Sequence, residues 1–372
     1  MPGKLKILHL TTHLNVGGIT NYLFILGSRM IREGHEVWVL SAGGDRAGRF
    51  ADAGFRLETL PFRTKNFLDP RLLLLVPAAA RLVRRECFDV IHAHTHVAQV
   101  LAALVSRRTG VPYVTTAHGF FTPRLGRRLF GCWGTRVIAI SPLVGEDLNR
   151  RHRVAETRIR MVLNGIDIDG LRRRASEKNP GVIRREWGIP EGAIVLATVA
   201  RLVADKGHRT LIEAAARLKS RYPGLYLLFV GDGREREGLG RLVRRRGLEG
   251  HVKLLPSEED ITKALSVTDI YVHPVTSREG FGLAVAEAMA LKKPVIVTDV
   301  PALNRLIEDR VNGYVTAPGD PVPLADTIIR LIENPNEARA VAGRGAAHVA
   351  GRCSLERMVR ETEAVYREAI AA

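Results

Sequence analysis

Short apolar runs alternate along this chain with longer helical stretches, and they do so in two separate series. Residues 6–11, 37–41, 90–92, 113–117, 137–140 and 161–163 read as strands, with helices predicted over 21–33, 71–85 (kinked at Pro77) and 97–108. Residues 172–181, RRRASEKNPG, interrupt the rhythm with charge, Pro and Gly and are expected to form a linker. A second series then begins, with strands at 194–200, 226–230, 252–255, 270–273 and 295–298, and a last helix at 354–371. Buried strands separated by helices fold into a parallel sheet with helices on both faces. The expected class is therefore α/β, with two Rossmann-like doubly wound domains at 1–175 and 176–352 and a C-terminal helix over 353–372. A chain of 372 residues is long enough to give each domain its own core.

Charge and cysteine content narrow the function classes. The net charge is +17, and it is unevenly placed. Residues 1–175 hold 27 Lys and Arg against 13 Asp and Glu, a net +14, whereas residues 176–372 hold 29 against 26, a net +3. The first half thus suits an anionic partner: a membrane surface, an acidic acceptor or nucleic acid. Aromatics make up only 6% of the chain and no RNP-type motif occurs, which argues against nucleic acid. Three scattered cysteines without CxxC spacing point to reduced thiols rather than disulfides or zinc. The most apolar run, residues 72–80, contains Pro77 and falls far short of the roughly 20 residues that span a bilayer. The amino terminus lacks a signal-peptide pattern. The expected location is cytoplasmic, with docking to the inner face of the membrane as a further expectation.

The richest stretch is residues 269–290, DIYVHPVTSREGFGLAVAEAMA. An apolar strand breaks at Pro274, a polar loop follows, and Gly280, Phe281 and Gly282 open an Ala-rich helix at Leu283. A helix start exposes unpaired N–H groups and the positive end of the helix dipole, a natural anion site. Glu279 and Glu287 flank it as acceptors for hydroxyl groups. Phosphate on amides and hydroxyls on carboxylates describe a nucleotide sugar. Arg201 and Lys206, in ARLVADKGH, follow the first strand of the second series, where a doubly wound sheet binds its ligand, and suit a diphosphate. Gly231, after the next strand, would let a nucleotide lie close. Gly17 and Gly18 follow the first strand of the chain but lack a full GxGxxG pattern, leaving a tight turn and a ligand loop both open.

Two Glu seven residues apart around GFG, followed by EAMA, resemble the donor-binding element of retaining family 4 glycosyltransferases. ARLVADKG, the NGID turn at 164–167 and TTAHGF around His118 resemble that family too, so the likeness runs from about Leu5 to the final helix. It implies the GT-B architecture, two Rossmann-like domains facing a cleft with the last helix crossing back to the first. It also implies transfer of a sugar from a UDP- or GDP-sugar, as co-substrate without a cofactor, to a hydroxyl of a glycan or lipid-linked acceptor, as in cell-envelope polysaccharide, lipopolysaccharide or glycolipid synthesis. His118 matches a histidine that reaches the transferred sugar and its phosphate. Together with Arg201, Lys206 and Glu279 it forms the implied catalytic set, Arg201 and Lys206 steadying the diphosphate and Glu279 the sugar. Gly17, Gly18, Gly231, Gly280, Phe281, Gly282, Leu283 and Glu287 are implied donor contacts, Glu287 at the ribose. His94, His96 and Asn164 fall on the acceptor side.

His92, His94 and His96 form an HxHxH run, but no carboxylate or Cys partners accompany it and the run ends a strand. Asp167 and Asp169 spell DxD beside a turn, where Asp167 reads as a capping carboxylate. No metal is assigned to either. The chain departs from the family after residue 298, where Val300, Pro301, Ala302 and Asn304 replace a common Gly-Gly and Glu. The segment 120–133, FFTPRLGRRLFGCW, interleaves cations with exposed-looking aromatics, and Arg124, Arg127 and Arg128 are expected to dock on an anionic membrane. A nucleotide-sugar 2-epimerase of the same architecture is the alternative, with a non-catalytic nucleic-acid-binding protein behind it.

Overall fold

The computed structural model describes residues 3–62, 64, 66, 69–121, 131–258 and 260–372. The chain forms two compact units, one of residues 1–165 with 355–372 and one of residues 166–354. The first contains β1 (Lys6–Leu10), α1 (Gly18–Arg32), β2 (Glu36–Ser41), α2 (Ala47–Asp52), β3 (Arg56–Thr59), α3 (Arg71–Glu86) and β4 (Val90–Ala93). It continues with α4 (His96–Thr109), β5 (Tyr113–Ala117), β6 (Arg136–Ala139), α5 (Pro142–His152) and β7 (Ile159–Met161). Its seven strands pair in parallel in the order β3-β2-β1-β4-β5-β6-β7. Alternate residues of β1 feed opposite faces: Ile7 packs with Leu23, Leu26 and Met30 of α1, Leu8 and Leu10 with Val83, Leu101 and Val105 of α3 and α4. Pro77 lies inside α3 without ending it.

The second unit contains α6 (Ile168–Ser176), α7 (Pro180–Trp187), β8 (Ile194–Val199), α8 (His208–Leu218), β9 (Leu225–Val230), α9 (Arg236–Arg245), β10 (Val252–Leu255) and α10 (Ile261–Ser266). It ends with β11 (Ile270–His273), α11 (Leu283–Ala290), β12 (Val295–Thr298), β13 (Tyr314–Thr316), α12 (Pro321–Glu333) and α13 (Pro335–Arg352). Its six strands run in the order β10-β9-β8-β11-β12-β13, again parallel. Leu196, Leu227, Val272 and Ile296 fill one face and Val195, Ala197, Leu228 and Val230 the other.

The expected linker is not a loop. Residues 172–176 are the last turns of α6, whose charged face is solvated while Leu171 is buried. The Asn-Pro-Gly that reads as a breaker starts α7: the Asn179 side chain accepts from Val182 N–H and Pro180 takes the first turn, where its missing N–H costs nothing. The division between units accordingly falls at residue 165, before α6. Two strands escape the sequence pattern, β3 and β13. Both lie at sheet edges; β3 is short of apolar residues and β13 is only three residues long.

The final helix, α14 (Leu355–Ile370), belongs to the first unit. Leu355, Met358, Val359, Thr362, Val365, Tyr366 and Ala369 form one buried stripe at helical spacing, packed against α1 and the strands β4 to β6. Arg136 and Arg160 both reach Glu368, at 3.1 and 2.7 Å. No helix among the described residues is long and apolar enough to cross a membrane. Because Met358 is 1% exposed, Met358→Ala should cost the first unit about 2–5 kcal/mol. Trp38 and Trp133 report on that unit and Trp187 on the other, so single-tryptophan variants in urea should show an early transition for the first pair alone.

Candidate active site

In each sheet one strand has neighbours that leave it in opposite directions: β1, between β2 and β4, and β8, between β9 and β11. Loops that diverge at the carboxyl ends of such strands open a ligand crevice. In the second unit these loops carry Arg201 and Lys206 after β8 and Glu279 to Gly282 after β11. In the first they carry Gly17 and Gly18 after β1 and His94 and His96 after β4.

The two loops of the second unit are tied together. The Thr276 amide donates to the Asp205 carbonyl at 2.9 Å, and a Cβ on Gly207 (φ +69°) would lie 1.6 Å from the Pro274 carbonyl oxygen. Only glycine allows that approach. It brings Lys206 Nζ to 2.6 Å from Glu279 Oε2, and His273 Nε2 reaches the same oxygen at 3.0 Å. Glu279 Oε1 accepts from Gly280 N–H at 2.9 Å. Burial alone would push the Glu279 carboxyl up, but the His273 and Lys206 contacts outweigh it and hold the group well below the usual carboxylate range. Arg201 is exposed and has no partner among the described residues.

Gly231 (φ +154°) has a different reason from the one expected: its Cβ would lie 2.0 Å from the Ala200 carbonyl oxygen, so the protein's own backbone needs the space. Gly282 (φ +84°) starts α11 with no side-chain cap, leaving the amides of Leu283, Ala284 and Val285 without a capping partner among the described residues, and Phe281 beside it is buried. Leu303, in the segment that departs from the family pattern, fills the space over Gly282, with Val300 and Ala302 buried beside it in the chain. Glu287, one turn into α11, is half-buried and neither of its oxygens has a hydrogen-bond partner among the described residues. Burial pushes its carboxyl up to about 7, against a smaller opposing pull from Arg174.

In the first unit Gly17 caps α1 in extended conformation, and added Cβ atoms at Gly17 or Gly18 would meet nothing within 4 Å. The helix starts at Gly18, three residues earlier than its apolar pattern suggests. The HxHxH run does not stay in one strand: His92 ends in β4, His94 lies just past it and His96 opens α4. His92 is held between Tyr366 Oη (2.6 Å) and Thr116 Oγ1 (2.7 Å). His94 is 3% exposed and lies behind His118: its Nδ1 is 3.1 Å from His118 Nε2 and its Nε2 is 2.8 Å from His9 Nδ1. His118 itself is half-buried, with the Tyr22 ring edge-on at 4.7 Å. Asn164 is buried with no partner for its Oδ1 among the described residues. Asp167 does cap α6, accepting from Gly170 N–H at 3.0 Å. Arg124, Arg127 and Arg128 lie outside the described residues. Trp133, expected at an exposed face, is 7% exposed and packs 5.7 Å from Phe121.

Sequence reasoning overlooked His9, His273 and His208. His273 is the last residue of β11, at the carboxyl end where ligand residues collect, and that position was the available signal. His9 meets His92 because the two are register partners on β1 and β4, a pairing invisible in the linear chain. His208 is buried against Phe229 with neither ring nitrogen partnered among the described residues, and burial lowers it to about 4.

Known proteins resemble this chain along its length. Residues 16–169 match the family described as Glycosyltransferase Family 4, and residues 181–348 that described as Glycosyl transferases group 1. A putative glycosyltransferase EpsD of Bacillus subtilis (strain 168) is 30% identical over 349 residues, which is 90% of this chain and 89% of that protein. The alpha-D-kanosaminyltransferase of Streptomyces kanamyceticus is 28% identical over 80% of this chain and 81% of its own. Among solved structures, Anabaena Alr3699/HepE in complex with UDP-glucose superimposes with a TM-score of 0.83 at 25% identity, covering 98% of this chain and 100% of that one.

The Glu287 carboxyl yields a prediction that needs no ligand. Its folded value of about 7 lies above the 4.5 of a free glutamate, so the folded state prefers the protonated form. Stability from this group is full below pH 4.5 and lost as pH rises through 7. Glu287→Gln should therefore raise the thermal midpoint of the unliganded protein at pH 8 and leave it unchanged at pH 4.

Proposed function

We propose, for a chain that belongs to the retaining family 4 glycosyltransferases and has their GT-B fold, that its second unit binds a UDP-sugar through the Lys206–Glu279–His273 cluster. The observation that carries this reading is that this cluster and Arg201, which has no partner among the described residues, lie on the loops that follow β8 and β11 where the strand order diverges. Lys206 is already matched in charge by Glu279, so it is a fixed donor rather than a free cation. Arg201 supplies the uncompensated charge, and its planar guanidinium suits two phosphate oxygens at once. The open amides at Leu283 add the positive end of α11. Glu287, with both oxygens unspent, takes the ribose hydroxyls. Glu279 has most of its acceptor capacity engaged within the protein and keeps room for one sugar hydroxyl.

Family 4 enzymes move the sugar from the nucleotide to an acceptor hydroxyl with retention. Charge grows on the diphosphate oxygen as the glycosidic bond breaks, and this oxygen takes the acceptor proton on the same face. Arg201, Lys206 and the α11 amides are aimed at that charge before it forms, which is where preorganised donors are worth most. No metal is needed for the charge. Gly17, Gly18 and His118 of the first unit keep the ligand roles expected from the sequence, and His94, His96 and Asn164 those of the acceptor side. The acceptor is a glycan or a lipid-linked saccharide.

Lys206→Ala should lower kcat about 100-fold, the scale for one lost preorganised donor. Arg201→Lys should weaken UDP binding, because bidentate geometry is gone. Both are measured by product formation with UDP-glucose in EDTA, where the wild type keeps turning over. Normal turnover in both variants sinks the assignment, and loss of wild-type activity on chelation sinks metal independence.

The acceptor side of the proposal includes an anionic membrane surface. The residues of the first unit hold 27 Lys and Arg against 15 Asp and Glu, a net +12. Leu73 and Leu74, 59% and 76% exposed on the first turn of α3, add an apolar contact that the charge pattern alone did not suggest. The protein should sediment with anionic but not neutral vesicles, and less so as salt shortens screening below roughly 8 Å. Arg124→Ser/Arg127→Ser/Arg128→Ser and Leu73→Ser/Leu74→Ser should each reduce sedimentation without changing UDP affinity. Unchanged sedimentation of both would leave a soluble acceptor.

A further inference from the structure

His118 stands at the end of a line of three imidazoles. His9 Nδ1 lies 2.8 Å from His94 Nε2, and His94 Nδ1 lies 3.1 Å from His118 Nε2. The far nitrogen of His9, Nε2, is buried with no partner, while the outer nitrogen of His118, Nδ1, has no protein partner among the described residues. The line is walled by His92, whose ring lies 4.1 Å from that of His94 and whose two nitrogens are spent on Tyr366 and Thr116. Tyr22 closes another side, 5.9 Å from His94 and 4.7 Å from His118. Nitrogens of His9, His92 and His94 come within 4.8 Å of one another, but the direct 2.8 Å bond and the two hydroxyl bonds of His92 already engage the lone pairs of His94 and His92, leaving a metal only that of His9.

Burial lowers His9 and His118 to about 3, and burial with the neighbouring histidines lowers His94 well below its ordinary value. All three rings are neutral near pH 7, so each carries one N–H and one lone pair. Two N···N contacts between three such rings allow only two proton arrangements. In one, His9 Nδ1–H donates to His94 and His94 Nδ1–H donates to His118 Nε2. His9 Nε2 is then a bare lone pair, and His118 carries its proton outward on Nδ1. In the other every bond reverses, and His9 Nε2–H becomes a buried donor with nothing to accept it. Orphaned buried N–H groups are rarer than orphaned acceptors. The first arrangement wins.

We propose that His9 and His94 are positioning residues that hold His118 as the Nδ1–H tautomer, so that His118 meets a ligand oxygen as a hydrogen-bond donor and not as a base. The consequence for turnover rests on the proposed donor reading; the tautomer does not. A long-range 1H–15N correlation spectrum of the unliganded protein with 15N-histidine, at pH 7, should show His118 protonated on Nδ1. In His94→Phe, which offers no nitrogen, the His118 proton should shift toward Nε2, and kcat should fall about tenfold, a fraction of a full donor loss. In His94→Asn the amide nitrogen occupies the place of Nδ1 and can still donate, so tautomer and kcat should return toward wild type. A wild-type His118 protonated on Nε2 overturns the proposal without any variant, as does an unchanged tautomer in a folded His94→Phe. If the wild type is protonated on Nδ1 while His118→Phe turns over UDP-glucose normally, the proposal holds and the reading of His118 as a sugar or phosphate contact fails.

Discussion

Lys206 meets Glu279 because one backbone crossing lets it. The loop after β8 passes so close to the Pro274 carbonyl that only a glycine at position 207 fits, and the Asp205–Thr276 bonds fasten the two loops there. Without that crossing the cation and the carboxylate would sit on separate solvated loops. With it they are largely buried, and burial of an ion pair is costly unless every lone pair and proton finds a partner. The structure goes part of the way by adding His273 and the Gly280 amide to the same carboxylate. The cluster is thus assembled before any ligand arrives, and preorganisation is what makes a donor useful to a developing charge.

The two units treat titratable groups in opposite ways. The second uses burial together with partners, so Glu279 stays ionised, while burial without partners leaves Glu287 near the middle of the physiological range. The first unit buries imidazoles among other imidazoles and hydroxyls, where a positive charge has no counter-ion, and they remain neutral. A unit of strongly basic composition therefore places an uncharged polar line at its switch point. Net charge describes its surface and says little about its site.

The departure from the family pattern after β12 has a packing meaning. Where a Gly-Gly is common, this chain places Val300 and Ala302, both buried, and Leu303 lies over Gly282 at the start of α11. The uncapped helix start is braced from that side by apolar side chains rather than by a flexible turn. That difference falls beside the helix start proposed to meet the donor.

The order of strands and helices, the two parallel sheets and the loops that carry the candidate residues were legible in the sequence. Apolar runs and helical periodicity are local properties, and a strand-loop-helix repeat has few ways to fold. The edge strands β3 and β13 were not, because β3 buries little and β13 is only three residues long, so each leaves a weak apolar signal. Nor was the status of the charged stretch at 172–181, since a solvated helix face and a linker share a composition. What the tertiary structure alone decided is which groups touch. His9 joins His92 and His94 through a strand pairing across 85 residues of chain, His273 joins Glu279 through a loop that doubles back, and Gly231 proves to serve its own backbone. Contact and burial depend on the register of distant strands, and it is they that fix a side chain's charge and the direction of its proton.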